Sequence, residues 1–263
     1  MSGMARSTYY YYVKNPTKDK YEAEKTEISL IFTQHKGRYG YRRILAIMRN
    51  NGYCINHKTV QKLMKSLGLK GKQRKNERYH SYKGEVGRVA DNHLKREFYA
   101  DKPFEKLTTD VTQFNVGGEK VYLSPVMDLY NREILSYSIS LSPNLEQIRE
   151  MLTGLFAKLP SDARPLFHSD QGWQYQHAEY QRLLAEHHIK QSMSRKGNCM
   201  DNGAMENFFG RLKVEMFYGE KFESVNAFID ELNNYIHYYN HDRISLRLKG
   251  MSPVQYRTHS LII

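Results

Sequence analysis

The sequence predicts a two-part chain of the α/β class, with a small, basic, all-α region ahead of a larger α/β domain. Three observations carry this reading. Residues 1–102 hold 23 Lys and Arg against 9 acids, whereas residues 103–263 hold 17 against 19. Between 31 and 70 the apolar residues recur at helical spacing. From residue 103, three segments rich in Val, Thr, Tyr and Ile come first. Helical and strand patterns then alternate, as in an α/β unit.

Residues 1–30 form a polar, helix-prone N-terminal segment whose odd feature is the run Tyr9-Tyr10-Tyr11-Tyr12, followed by Pro16. The run does not fit a covalent tyrosine recombinase. Four adjacent tyrosines point in several directions, and no arginine–histidine pocket accompanies them. Residues 31–70 read as two helices with a turn. Ile44, Ile47 and Met48 give the first an apolar face, and Gly52 caps its end. Asn56 is placed to cap the second, on which Val60, Leu63, Met64 and Leu67 fall at i, i+3, i+4 and i+7 before Gly68 ends it. Arg42, Arg43, Arg49, Lys58, Lys62 and Lys65 occupy the other faces. A helix pair so decorated can enter a groove or lie along phosphates. Residues 71–102 read as a basic linker without apolar periodicity, extended or partly disordered in the absence of DNA. Lys72, Arg74 and Lys75 in it are candidate phosphate contacts.

Residues 103–218 are expected to form the α/β domain. Leu107 to Phe114, Glu119 to Met127 and Glu133 to Ser140 read as strands, and Gly117-Gly118 supports a hairpin between the first two. A helix from Leu145 to Leu159 follows. Next come a strand ending at Asp170, a helix from His177 to Glu186, a strand from Ile189 to Met193 and a helix beginning near Asp201. Residues 219–263 form a C-terminal helical extension with a helix from Val225 to about Tyr239. Around its end, Tyr235, Tyr238, Tyr239, His241 and Arg243 mix aromatic and basic groups. Such a cluster either stacks on bases or packs in the interior.

Three acids stand out by position. Asp110 falls inside the first strand pattern, and 59 residues separate it from Asp170, which ends the Arg164-Pro165-Leu166-Phe167 strand. Another 35 residues separate Asp170 from Glu206. On the last helix Met205, Phe208, Phe209, Leu212 and Met216 form one apolar stripe. Asn202, Glu206 and Lys213 share its margin, because four and seven residues are close to whole turns. A carboxylate, an amide and an ammonium side by side are suited to a metal and a phosphate. Asp128 and Asp201 compete as ligands, but Asp128 reads as a turn residue and Asp201 as the cap of the Glu206 helix. A Ser-His-Asp relay at His168-Ser169-Asp170 fails, since neighbouring strand residues face opposite ways.

The segments Thr108-Thr109-Asp110, His168-Ser169-Asp170-Gln171-Gly172 and Asp201-Asn202-Gly203-Ala204-Met205-Glu206-Asn207-Phe208-Phe209, with Lys213 seven residues on, resemble the DDE transposases of bacterial insertion sequences. The closest resemblance is to the OrfB type of the third insertion-sequence family, which is related to retroviral integrases. The likeness covers most of the chain. It implies a ribonuclease-H-like (integrase core) catalytic domain preceded by a helix–turn–helix domain. It implies that Asp110, Asp170 and Glu206 are both the catalytic residues and the metal ligands, for two Mg2+ or Mn2+ ions per site. Asp110 would bridge the ions, with Asp170 and Glu206 each holding one. Two such cations suit attack on a phosphodiester, which its own negative oxygens otherwise resist. The resemblance further implies 3′-end cleavage and strand transfer, with Lys213 on the terminal phosphate and His168 and Asn202 as supporting candidates. The partners it implies are double-stranded DNA at the element ends and at the target, other copies of the chain on that DNA, and an upstream reading-frame product. Two other readings belong to different classes. One is a catalytically inert DNA-binding regulator of transposition, and the other is a structure-specific nuclease on the same fold.

The basic amino-terminal part points to nucleic acid through phosphate contact and counterion release. No apolar run is long enough to span a bilayer, and the start lacks a signal-peptide core. Two cysteines, Cys54 and Cys199, make neither a disulfide framework nor a zinc site. The expected setting is the bacterial cytoplasm, in association with the nucleoid.

Overall fold

The structure, a computed structural model, describes residues 5–7, 10, 19–73, 89–195 and 199–260. Most of the tyrosine run and the candidate contacts Arg74 and Lys75 lie outside them. The chain divides into two compact units, residues 1–72 and 73–263.

The first unit holds α1 (Glu22–Gln34), α2 (Tyr41–Asn50) and α3 (His57–Ser66). Its core comprises Ile28 and Ile31 of α1, Ile44, Leu45 and Met48 of α2, and Val60, Leu63 and Met64 of α3. The expected boundary at residue 30 therefore cuts through a helix. α1 carries a third apolar face, without which α2 and α3 would leave theirs exposed. The caps form as expected. The Asn56 side chain accepts the Lys58 N–H at 2.9 Å. Gly52 takes φ +87°, and the Tyr53 N–H then closes α2 on the Met48 carbonyl at 2.9 Å. The start of the expected linker belongs to this unit too. The Lys72 N–H donates to the Gly37 carbonyl at 3.1 Å. A Cβ on Gly71 would meet the Tyr39 carbonyl oxygen at 2.7 Å, so only glycine lets the two backbones approach.

The second unit is built on a six-stranded sheet: β1 (Lys106–Thr109), β2 (Thr112–Val116), β3 (Glu119–Asp128), β4 (Ile134–Ser140), β5 (Leu166–Ser169) and β6 (Lys190–Met193). The first expected strand is two. β2 pairs with the early half of β3 and β1 with its late half, both antiparallel. Asp110 and Val111 form the break between them. β4 takes the other edge of β3, while β5 and β6 extend the sheet in parallel beyond β1. Gly117 and Gly118 turn the β2–β3 hairpin with φ of +60° and +91°.

Helices cover both faces. α4 (Leu145–Phe156), the short α5 (Trp173–Gln176) and α6 (Ala178–Glu186) supply Ile148, Met151, Leu152, Tyr175, Tyr180 and Leu184 to a core with Leu107, Val126, Phe167 and Met193. On the opposite face α7 (Gly203–Leu212), the π-helical turn Lys213–Phe217 and α8 (Val225–His241) pack on Phe114, Val121, Leu123 and Met127. The expected apolar stripe of α7, Met205 through Met216, is buried there throughout.

Two further boundaries need correction. Residues 89–102 are not a loose linker. The Ser192 hydroxyl accepts the His93 and Leu94 N–H groups at 3.0 and 3.2 Å, and Leu94 and Ala100 are buried against Leu129. Residues 219–260, the expected C-terminal helical extension, belong to the same compact unit. Phe228, Leu232, Tyr235, Ile236 and Tyr239 complete the core beneath α7. The aromatic–basic cluster is interior packing at its centre. Arg243 is buried and bonds Glu215 at 2.8 and 2.7 Å, and Glu215 also accepts the Tyr235 hydroxyl. A short helix, α9 (Pro253–Ser260), follows. Among the described residues no helix is long and apolar enough to cross a membrane.

Candidate active site

β1 and β5 are parallel neighbours in the register Thr108↔His168. Two residues further, each just past its strand, come Asp110 and Asp170. The C-terminal ends of parallel strands are where open α/β sheets present functional groups. Thr108 and His168, two residues before the aspartates, lie on the face that α7 covers. Thr108 donates its hydroxyl to the Asn202 side-chain oxygen at 2.7 Å, and the Asn202 amide donates to the Thr109 carbonyl at 3.1 Å. Asn202 therefore does not enter the acidic site. It pins the start of α7 to β1 and so fixes the helix that carries Glu206.

Asp110 and Asp170 are half-buried. The Asp110 carboxyl is held well above the usual carboxylate range, first by burial and then by the negative fields of Asp170 and Glu206. Its hydrogen bond from the Val111 N–H (2.8 Å) and the charge of Lys213 act in the other direction. Asp170 is raised by burial and eased by the Gly172 N–H at 2.8 Å. A Cβ on Gly172 would lie 2.9 Å from that same Asp170 oxygen and 2.6 Å from the Gln174 amide, so glycine makes this turn possible. Asp110 thus feels all three of the other expected charges. They do not stand as a finished cage, however. Among the described residues no three His, Cys, Asp or Glu side chains gather closely enough to hold a metal ion. Each aspartate instead turns one oxygen to a backbone N–H. Lys213 lies with its ammonium 5.4 Å from the Phe114 ring centre.

His168 lies beneath the site, fully buried. Its Nδ1 is 2.9 Å from the Ser192 hydroxyl. That hydroxyl already accepts two backbone N–H groups, so its proton is free to donate to Nδ1, and the ring proton belongs on Nε2. Burial pushes the imidazole down to about 4, against the pull of the Asp201 carbonyl and carboxylate. His168 is a neutral support, not a proton carrier at neutral pH. Its partner is Ser192 rather than Ser169, which disposes of the relay.

The two competing acids have structural work. Asp128 accepts the Phe104 and Tyr130 N–H groups at 2.8 and 2.9 Å, holding the turn it was assigned to. Asp201 is not a helix cap. It lies in a 3-10 turn ahead of α7, fully buried. It collects Arg96 (2.6 Å), Arg195 (3.0 Å) and Asn92 (3.1 Å). Sequence reasoning missed this hub. It also assigned no role to Tyr175. That hydroxyl is buried 3.5 Å from the Thr109 hydroxyl and is held up by burial and by both aspartates.

In the first unit Arg42, Lys58 and Lys62 are exposed. Arg43 is half-buried, with its guanidinium 5.2 Å from the Tyr39 ring centre.

Comparison with known proteins gives three family matches. An integrase core domain matches residues 100–199, a second integrase core model matches 206–261, and an HTH-like domain matches 19–77. The chain is similar to a putative transposase, InsK, of insertion element IS150 from Escherichia coli K12. The two are 51% identical over 256 residues, covering 97% of this chain and 90% of that one. An uncharacterized transposase-like protein of Haemophilus influenzae is 56% identical over 207 residues, covering 79% and 95%. The transposase InsF of IS3A from E. coli K12 is 34% identical over 231 residues, covering 88% and 80%.

Proposed function

The chain belongs to the insertion-sequence transposases with an integrase core, of the OrfB type of the third family, and on that premise we propose that it cuts DNA at the 3′ ends of a mobile element and joins those ends to a target by direct transesterification. The general class of activity is polynucleotidyl transfer. One observation carries the finer reading: Asp110 and Asp170 side by side at the ends of parallel strands, within the field of Glu206.

A half-buried carboxylate raised by two neighbouring acids is a poor resting arrangement and a good one for hard divalent cations, whose preferred protein ligands are carboxylate oxygens. Asp110, Asp170 and Glu206 would hold two magnesium or manganese ions, which when bound activate the attacking oxygen and neutralise the leaving one. Glu206 is half-buried on a helix pinned by Asn202. Lys213 brings a cation into the same field and would take a DNA phosphate. His168 and Asn202 position the backbone around the acids and donate nothing to the substrate. The exposed Arg42, Lys58 and Lys62, with Arg43, Lys72, Arg74 and Lys75, would lie along the duplex. Two element ends must be cut and joined together, so more than one copy acts on the DNA. The place of action that follows is the bacterial nucleoid.

The test is Glu206→Gln with supercoiled donor DNA and magnesium. Loss of nicking and of joined product, with DNA binding retained, supports the reading. Cleavage persisting near the wild-type rate overturns it. Nicking by the wild type without any joined product would favour a nuclease.

A further inference from the structure

A cavity of about 260 Å3 opens in the second unit, away from the triad's own residues. Its walls bring together four arginines, Arg132, Arg211, Arg243 and Arg247, with Asn207 and Tyr239. Arg243 is already satisfied by Glu215. Among the described residues no carboxylate pairs with the other three. The nearby Glu133 is taken by Arg257 at 3.1 Å, and Asp128 by two backbone N–H groups.

Arg132 is the most telling. It sits in the β3–β4 turn with φ +65°, a left-handed conformation that costs a residue with a Cβ. Its Nη2 donates to the Phe98 carbonyl at 2.8 Å, but its Nε is buried without a partner. Burial, and then repulsion from Arg247 and Arg211, pushes the guanidinium down to about 10. A strained turn, an orphaned buried donor and three mutually repelling cations are together costly unless an anion completes them. The first turn of α7 adds to the field. Gly203 and Ala204 line the cavity, and the side chain of Asn202 bonds β1 instead of capping the helix.

We propose that this cavity is a second DNA-contact site, in which Arg132, Arg211 and Arg247 hold a phosphodiester oxygen of a DNA strand while Phe98 and Tyr239 form the wall beside the attached sugar or base. Arg211 and Arg247 are exposed, so the charge lies where a polymer can cross it. Asn207 and Arg211 project from the helix that also carries Glu206. A strand held here therefore has its position tied to the acidic site through a single rigid element. The inference rests on the chain acting on DNA, but not on the triad.

The experiment is equilibrium binding of a labelled DNA duplex to the full chain in EDTA, across a salt series. Arg211→Gln with Arg247→Gln is compared with Arg164→Gln, an exposed arginine outside the cavity. Both side chains of the double variant are at the surface and repel Arg132, so its melting temperature should not fall below that of the wild type. The double variant should bind about 10-fold or more weakly. Its slope of log K against log salt should be shallower by about 0.9, the value for one lost phosphate contact. The control should change neither. A double variant indistinguishable from the control overturns the proposal. So does stabilisation of the wild type by inorganic phosphate or a deoxynucleoside monophosphate that DNA cannot displace, which would make the cavity a small-anion site. Because binding in chelator is independent of cleavage, a dead Glu206→Gln enzyme and a lost cavity contact are told apart.

Discussion

Asp110 and Asp170 occupy matching places on adjacent parallel strands, each the first residue beyond its strand's end, in the register that pairs Thr108 with His168. Neighbouring strands run about 4.8 Å apart, so two carboxylates leave the sheet as neighbours although 59 residues separate them. The break in the β1–β2 line at Asp110 makes this possible. A continuous strand would keep that backbone in the ladder, whereas here β2 resumes two residues later on the same partner, β3.

This juxtaposition sets stability against activity. Asp110 is raised by burial and by like charges, so its ionisation opposes folding: the contribution is favourable at low pH and is lost as pH rises. Asp110→Asn keeps an acceptor for the Val111 N–H and removes the charge. In EDTA at neutral pH it should raise the melting temperature, by roughly 2–4 °C per kcal/mol relieved, and the gain should vanish below about pH 4. Strand cleavage with magnesium should fall on the order of 10^3-fold. A less stable Asp110→Asn protein would contradict the electrostatic account.

His168 makes a separate prediction. Its imidazole is depressed from 6.5 to about 4 by burial, so the stability it confers is complete above about pH 6.5 and is lost as pH falls toward 4. Chemical denaturation across that window should show a decline on the order of 3 kcal/mol. In His168→Gln that part of the curve should flatten. An unchanged slope would mean that the ring is not held neutral.

Asp201 acts at lower pH. The Arg195 side chain holds it well below the usual carboxylate range, with Arg96 assisting. Its contribution is present above about pH 4 and disappears as pH falls below that. Asp201→Asn should lower the melting temperature at neutral pH by several degrees, about 2–4 °C for each kcal/mol of charge-assisted bonding lost. It should also blunt the acid transition. The 89–102 strap should become more sensitive to protease, since Asn92 and Arg96 lose their anchor.

Lys213→Gln should leave the fold unchanged and weaken DNA binding across sequences. The salt slope should become shallower by about 0.9, for one phosphate contact. The measurement is the same binding series in EDTA. Equal slopes for variant and wild type would remove Lys213 from the DNA surface.

Much of this architecture was legible from local pattern. The stripe Met205 to Met216 marked α7, Asn56 and Gly52 marked helix ends, and Gly117-Gly118 marked the hairpin, because each depends on spacing or on one residue's backbone freedom. Boundaries fared worse wherever a segment is held by distant partners. Residues 89–102 look like linker by composition, yet Ser192 and Asp201, about a hundred residues later, tie them down. Residues 219–260 look like an appendage, yet Arg243 and Tyr235 meet Glu215 in the interior.

The sequence alone determined which acids to watch, because residue type and spacing are one-dimensional facts that a family pattern can match. It could not decide that Asp110 faces Asp170, that Asp201 binds arginines instead of capping a helix, or that Arg132, Arg211 and Arg247 share one cavity. Those relations arise from strand register and from helices crossing a sheet. There, burial and charge sum over residues that the chain itself keeps far apart, and only the folded structure sets them.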